Sequence, residues 1–314
     1  MKPFNTLHVL CAFCILVAGC SSNTQSSETA IPETDSTPLK ILFDDFSYPS
    51  IAEMTANGWI VRSGGGWPGV SGAAFREENV TFMEYPDQAG NRLLRMTSST
   101  DGTSENTFQT QICHQRKYLE GTYAARVRFN DNPSQGTDGD QIVQTFYMIT
   151  PYDRPYNPDY SEMDFEYLPN GGWGGAPNTM HFTTWETVKI EPWDADNLSN
   201  ANQGSLSGWH TLTAQVTNGT VRYFVDGNLT AQHGGEYYPD ALMSINFNLW
   251  FIDGGLNGEN TIREYQEDID WVFHQAGVSL MPDEVIAKVN EYRNASVTFQ
   301  DTVAPGIPIS PCDL

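Results

Sequence analysis

Residues 160–168 read Tyr160-Ser161-Glu162-Met163-Asp164-Phe165-Glu166-Tyr167-Leu168. Side chains along a strand alternate between its two faces. Met163, Phe165 and Tyr167 are therefore expected to enter a core, with Tyr160, Glu162, Asp164 and Glu166 on the opposite face. Three carboxylates in a row repel one another, and a purely structural sheet has no reason to collect them. The bare pattern fits a solvated outer face or a calcium site, and it also fits a chemical site. Glycoside hydrolysis with retention needs two carboxyl groups about 5–5.5 Å apart, one a nucleophile and one an acid/base. Positions four apart on a strand are about 13 Å apart at Cα, a gap that two Glu arms leaning together on a curved sheet largely close. A short Asp between them can hydrogen-bond the nucleophile. It also separates the two titrations, so that one Glu stays ionised while the other keeps its proton.

Outward from this strand the pattern stays β. Tyr123, Ala125, Val127 and Phe129 alternate with Thr122, Ala124, Arg126 and Arg128, and Val221, Tyr223 and Val225 repeat the period. Asn218-Gly219 and Asp226-Gly227 beside these runs are hairpin-turn dipeptides. Ile269, Trp271 and Phe273 read as one more alternating set, and Trp209 and Trp271 as core. Many short strands with Gly/Pro-rich turns predict a β-sandwich or jelly roll. One helix is expected, from Pro282 to about Asn294, with Val285, Ile286, Val289 and Tyr292 at helical spacing and the helix packed on the outside of the sandwich. There is no internal repeat and no glycine-rich phosphate loop.

The chain has 314 residues, 39 acidic against 16 basic, and a formal net charge of −23. That argues against nucleic acid, which needs a basic footprint, and against electrostatic docking on anionic lipid. A soluble, self-repelling surface is the expectation. Aromatic residues at 12% argue against disorder. Residues 1–19 carry one charge, Lys2, and an apolar run too short to span a bilayer, as in a signal peptide. Leu16-Val17-Ala18-Gly19-Cys20 resembles the bacterial lipobox, which implies lipidation at Cys20 and a lipid-anchored place at the cell envelope. Residues 20–39 are rich in Ser, Thr, Pro and Glu and read as a flexible tether. Cys11 and Cys14 lie in the leader. Cys113 and Cys312 remain, either as one disulfide pinning the C-terminal tail or as two buried thiols.

Glu162-Met163-Asp164-Phe165-Glu166 resembles the active-site strand of glycoside hydrolase family 16, in the form without an inserted bulge residue that is typical of its lichenase and xyloglucan-active branches. Asp44-Asp45-Phe46 is similar to that family's opening strand, and Tyr118 to Arg126 to its "Y-x-G-x-Y-E-A-R" strand. Gln141 to Tyr147 is similar to the strand before the catalytic one. Trp209-His210-Thr211 through Val225-Asp226-Gly227 resembles its "W-H-T … V-D-G" hairpin, Asn248-Leu249-Trp250 its "N-L-W" strand, and Asp268 to Val272 its closing strand. The resemblance spans residues 40–276, leaving 277–314 as C-terminal helix and tail. It implies an all-β jelly-roll sandwich of two curved antiparallel sheets, with one short C-terminal helix and a glycan cleft on the concave face. It assigns Glu162 as nucleophile, Asp164 as its electrostatic helper and Glu166 as general acid/base. Two positions depart from the family: Ala124 where a Glu is usual, and Tyr160 where a Trp often stands. Both bear on sugar specificity rather than on the chemistry.

Flat sugar faces pack on aromatic rings, and hydroxyls seek amides and carboxylates. Candidates for sugar binding are Asn248 and Trp250 beside the nucleophile, Tyr160 on the catalytic face, and His181 on the following strand. Trp173 in Asn170-Gly171-Gly172-Trp173-Gly174-Gly175, Trp185, and Trp67 in Gly64-Gly65-Gly66-Trp67-Pro68 complete the set. No zinc spacing is present, and no cofactor is required. The many acids leave room for a structural calcium near Asp268 or Asp270 and the first strand, as in some relatives. The function expected is an endo-acting, retaining hydrolase of a β-linked polysaccharide, working as a monomer. A carbohydrate-binding lipoprotein or a transglycosylase would use the same fold.

Overall fold

The computed structural model describes residues 39–85, 90–306 and 312. The leader 1–19, Cys20 and the tether, apart from Leu39, lie outside the described residues. In chain order the elements are β1 (Ile41–Asp44), α1 (Ile51–Ala56), β2 (Trp59–Val61), β3 (Ala74–Phe75), β4 (Val80–Glu84), β5 (Arg92–Thr100), β6 (Phe108–His114), β7 (Gly121–Phe129), β8 (Ile142–Ile149), β9 (Glu162–Leu168), β10 (Thr179–Lys189), β11 (Asp194–Gln203), β12 (Gly208–Thr217), β13 (Thr220–Val225), β14 (Asn228–Gly234), β15 (Ser244–Phe251), β16 (Arg263–Ala276), α2 (Pro282–Asn294) and β17 (Phe299–Asp301).

Seven of these form one antiparallel sheet in the order β11-β10-β9-β8-β15-β6-β2. The second sheet runs β14-β13-β12-β7-β16. The far edge of β16 pairs first with β5 and then with β1, to which β4 and β17 are added. Inward residues of both sheets share one core. Phe146, Phe165 and Phe247 from the first sheet meet Tyr123, Val127, Leu212 and Tyr223 from the second. Burying side chains of this kind contributes about 1.5–3 kcal/mol each. Both expected hairpin turns form. Asn218 and Gly219 have φ of +53° and +70°, and Asp226 and Gly227 have +49° and +81°, the pairs of positive φ that a two-residue turn joining right-twisted strands requires.

Helix α2 runs from Pro282 to Asn294, as the sequence predicts, and its Glu284 carboxylate accepts from the Met281 N–H at 2.7 Å. Val285 and Val289 pack on the outer face of the second sheet with Ile41, Phe43, Ala124, Trp271 and Phe273, and Tyr292 stacks on Phe43. Ile286, expected in that stripe, points outward. Ala124 lies under this helix, on the side of the sandwich away from the acids.

Three expectations are corrected. A second helix, α1, was not expected. It has six residues, of which only Met54 is buried, too few to print a helical period. The set Ile269, Trp271 and Phe273 does not share a face. A bulge between Ile269 and Trp271 against β7 switches the strand over, so Ile269 enters the central core while Trp271 and Phe273 face α2. Trp209 is not core: it is half-buried, with the Arg126 guanidinium 4.6 Å from its ring and Tyr85 beside it.

Among the described residues, the chain after α2 returns to the sheets. β17 pairs with β1, and a disulfide joins Cys312 to Cys113 on β6, 199 positions away. Among the described residues no helix is long and apolar enough to cross a membrane.

Candidate active site

Strand β9 lies inside the seven-stranded sheet, between β8 and β10, so both of its edges are held by backbone pairing. Register places Asp164 between Tyr147 and Thr183, Glu166 between Thr145 and His181, and Glu162 beside Trp185. Met163, Phe165 and Tyr167 are fully buried in the core. Glu162, Asp164 and Glu166 therefore project together from the other face. They line a cleft of about 820 Å³ with Tyr147, Tyr160, His181, Asn248 and several tryptophans. That volume suits a site for a small ligand or a few sugar units.

The acids are wired to each other and to two aromatic donors. The Tyr160 hydroxyl donates to Glu162 Oε2, and the Trp185 indole donates to Asp164 Oδ2 at 2.5 Å. Asp164 is hydrogen-bonded to the Glu162 carboxyl. Burial raises all three carboxyls. Glu162 is lifted to about 7, with the bonds from Tyr160 and Asp164 pulling it back down. Asp164 is raised well above the usual range, first by burial and then by the charges on Glu162 and Glu166 flanking it. Glu166 is lifted to about 8 by burial and by Glu162, with no hydrogen bond opposing the shift. The physical consequence is a division of labour. Asp164 holds a proton and donates it toward Glu162, which favours the Glu162 anion, while Glu166 keeps its own proton near neutral pH.

All seven candidate sugar-binding residues line the cleft, but their placements differ. Trp67 and Trp173 are exposed at its rim, 42% and 58% accessible. Trp173 leans over His181 and Trp250, with centroids 6.2 and 6.1 Å away. Asn248 is almost fully buried, and its Oδ1 is enclosed without a protein hydrogen-bond partner. His181 is neutral, its pKa lowered by burial. Trp250 packs with Val143, Leu168 and Ile252 and shows only an edge. Tyr160 and Trp185 also touch the acids directly. Their polar ends are committed to Glu162 and Asp164, and these bonds position the acids.

Two residues escaped the sequence reading. Tyr147 sits opposite Asp164 on β8, and its hydroxyl accepts from Gln111 at 2.7 Å. The period of β8 would have found it, since Thr145, Tyr147 and Ile149 must face away from Phe146 and Met148. Trp193, at the β10–β11 turn, carries no sequence signal.

Asp268 and Asp270 do not fit a calcium ion. Asp268 accepts from Arg95 at 2.6 and 2.8 Å, and Arg128 lies 3.7 Å away. Asp270 accepts from Arg126, Arg293 and Asn91 at 2.6–2.8 Å. Their oxygens are occupied by guanidinium and amide donors, and a divalent ion there would face the four arginines around them.

The solved structures that resemble the chain share this architecture. The β-glucanase of Bacillus licheniformis aligns with 15% identity and a TM-score of 0.53, over 75% of this chain and 97% of that one. A family 16 endo-glucanase from Bacteroides ovatus gives 16% and 0.56, over 73% and 98%. A laminarinase from Flavobacterium sp. UMI-01 gives 18% and 0.52, over 74% and 98%. At such identities the likeness is one of fold. No curated protein matches the chain. The model of glycosyl hydrolases family 16 matches residues 76–273, which include the acid-bearing strand β9 and both strands that flank it. The chain belongs to glycosyl hydrolase family 16.

Proposed function

We propose that the protein hydrolyses the internal linkages of a β-glucan by double displacement. The observation that carries this reading is the set of three carboxyls on one face of β9, Asp164 buried and the two Glu half-buried, opening into a cleft, with donors aimed at the first two and none at the third. In the first step the Glu162 carboxylate attacks the anomeric carbon while Glu166 gives its proton to the departing glycosidic oxygen. A glycosyl ester forms on Glu162, and the leaving chain departs with its hydroxyl. In the second step Glu166, now ionised, takes a proton from water. The water oxygen attacks the anomeric carbon, the ester bond breaks, and the sugar leaves with its original β configuration. Asp164 steadies Glu162 each time it carries charge. The indole of Trp185 keeps Asp164 oriented for that task.

Incubation with unbranched β-1,3, β-1,4 and mixed-linkage glucans tests the proposal. Oligosaccharides of intermediate size are expected early, with the new reducing ends appearing first as the β anomer by NMR. Release of the α anomer, or no cleavage of any of the three, would overturn it.

The raised carboxyls set the pH dependence. Activity needs Glu162 ionised and Glu166 protonated, so it falls as pH drops through the lower titration and falls again as pH rises through the upper one. The three acids titrate together, so the two limbs belong to the group. With Glu162 near 7 and Glu166 near 8, a narrow optimum between neutral and mildly alkaline pH is expected in kcat/KM profiles. An optimum at pH 4–5 with activity gone by neutrality would contradict it.

A further inference from the structure

Two segments far apart in the chain meet beside the acids. The loop of residues 62–73 leaves β2, the strand at one edge of the cleft sheet. The turn of residues 190–193 joins β10 to β11, at the opposite edge of the same sheet. Trp67 of the first and Trp193 of the second lie with ring centroids 6.2 Å apart and planes at 30°. Trp185 meets Trp193 edge-on at 5.9 Å. Both segments line the cleft that holds Glu162, Asp164 and Glu166.

The loop is tied to the sheet beneath it. The buried Arg62 guanidinium donates to Gln111 Oε1 at 2.8 Å and to the Trp67 carbonyl at 3.0 Å. Gln109 Nε2 donates to the Pro68 carbonyl at 3.2 Å. At Gly69, with φ of +117°, a Cβ would sit 2.2 Å from Gln109 Oε1, so the loop lies directly on that side chain. Trp193 is 55% exposed and Trp67 42%. Two large rings thus stand in the open, Trp67 on a loop tied to the sheet and Trp193 on a turn, facing each other from the two edges of one sheet.

We propose that Trp67 and Trp193 form a bridge over the glycan cleft, and that the bridge limits the enzyme to unsubstituted stretches of β-glucan. The proposal rests on the hydrolase reading above and narrows its substrate class. Rings pack on the flat C–H faces of a bare glucan chain. A group attached to a sugar hydroxyl adds width in the plane that the roof and the edge of Trp185 bound. One offset ring contact is weak, so the bridge can part to admit the middle of a chain and close over it, which is compatible with attack on internal bonds.

The test compares each of the three unbranched glucans with its own partly hydroxyethylated form, which keeps backbone and linkage and adds only bulk. The wild type is expected to prefer the native polymer in kcat/KM, and Trp193→Ala and Trp67→Ala to narrow that preference by roughly tenfold, chiefly by gaining on the substituted polymer, a size typical of steric discrimination in a pocket. Both rings are exposed, so unchanged melting temperatures are expected and should be measured alongside. Retention of the same proteins in gels containing each polymer reads the preference without turnover. If the wild type cleaves nothing but its retention shows the preference and the variants lose it, the hydrolase reading fails and the bridge stands. An unchanged ratio in both variants overturns the bridge, as does no retention and no cleavage of any polymer.

Discussion

Glu162→Gln is expected to lower kcat on β-glucan by roughly four to six orders of magnitude, because it removes the atom that forms the covalent intermediate. The amide keeps the volume of the carboxyl and can still accept from Tyr160, so the melting temperature should hold or rise. A carboxyl kept in a buried site against its usual titration costs stability that a neutral amide does not. Glu162→Ala opens a small cavity at the same place. Azide or formate is expected to enter it and restore part of the activity on a substrate with a good leaving group, giving the α-configured adduct in the case of azide. The corresponding Ala variant of Glu166 would instead yield a β-configured adduct, because there the nucleophile remains and the added anion intercepts the glycosyl ester. Activity within tenfold of wild type in Glu162→Gln would remove Glu162 from the mechanism.

The largest stability effect is expected away from the chemistry, at Asp140. This side chain and Arg263 have no solvent exposure, and the guanidinium donates to both carboxylate oxygens at 2.6 and 2.9 Å. Asp140 also accepts from the Tyr265 hydroxyl and the Asn257 N–H. Asp140→Ala leaves the guanidinium buried without its counter-ion. A loss of about 3–5 kcal/mol is expected, because breaking one side of a buried pair exposes the full desolvation penalty of the other. For a domain of this size that corresponds to a fall of roughly 10 °C in Tm by calorimetry. Adding Arg263→Met should recover part of the loss, since the double variant buries no charge. A shift of under about 2 °C for the single variant would show that water reaches the guanidinium once Asp140 is gone.

The site was legible in the sequence to the extent that it follows from period. Glu162, Asp164 and Glu166 share a face because every second residue of a strand must, and Met163, Phe165 and Tyr167 are apolar enough to say which face is the core. The same rule exposes Asn248. It misled at Ile269, Trp271 and Phe273, where one bulge residue reverses the face and leaves no mark in residue type. Aromatic residues were readable as near the cleft but not by role. Whether a Trp stacks on sugar or donates a hydrogen bond depends on where its N–H ends up. Trp185 and Trp173 look alike in the sequence, yet one holds Asp164 and the other stands at the rim. Asp268 and Asp270 illustrate the same limit: two acids near the first strand suggest a cation, and the arginines that neutralise them come from β5, β7 and α2, distant in the chain.

By itself the sequence determined the strand character of nearly every element, the two I′-type turns, the C-terminal helix, and the face on which the three acids stand. All of these are local: they depend on period, turn dihedrals and helix capping within a dozen residues. Only the tertiary structure decided which groups share a proton, that Tyr160 and Trp185 serve the acids, and that Trp67 and Trp193 meet across the sheet. Those are contacts between segments joined by long stretches of chain. They are set by register across seven strands and by how much water the packed cleft retains, and neither quantity is written in any one stretch of residues.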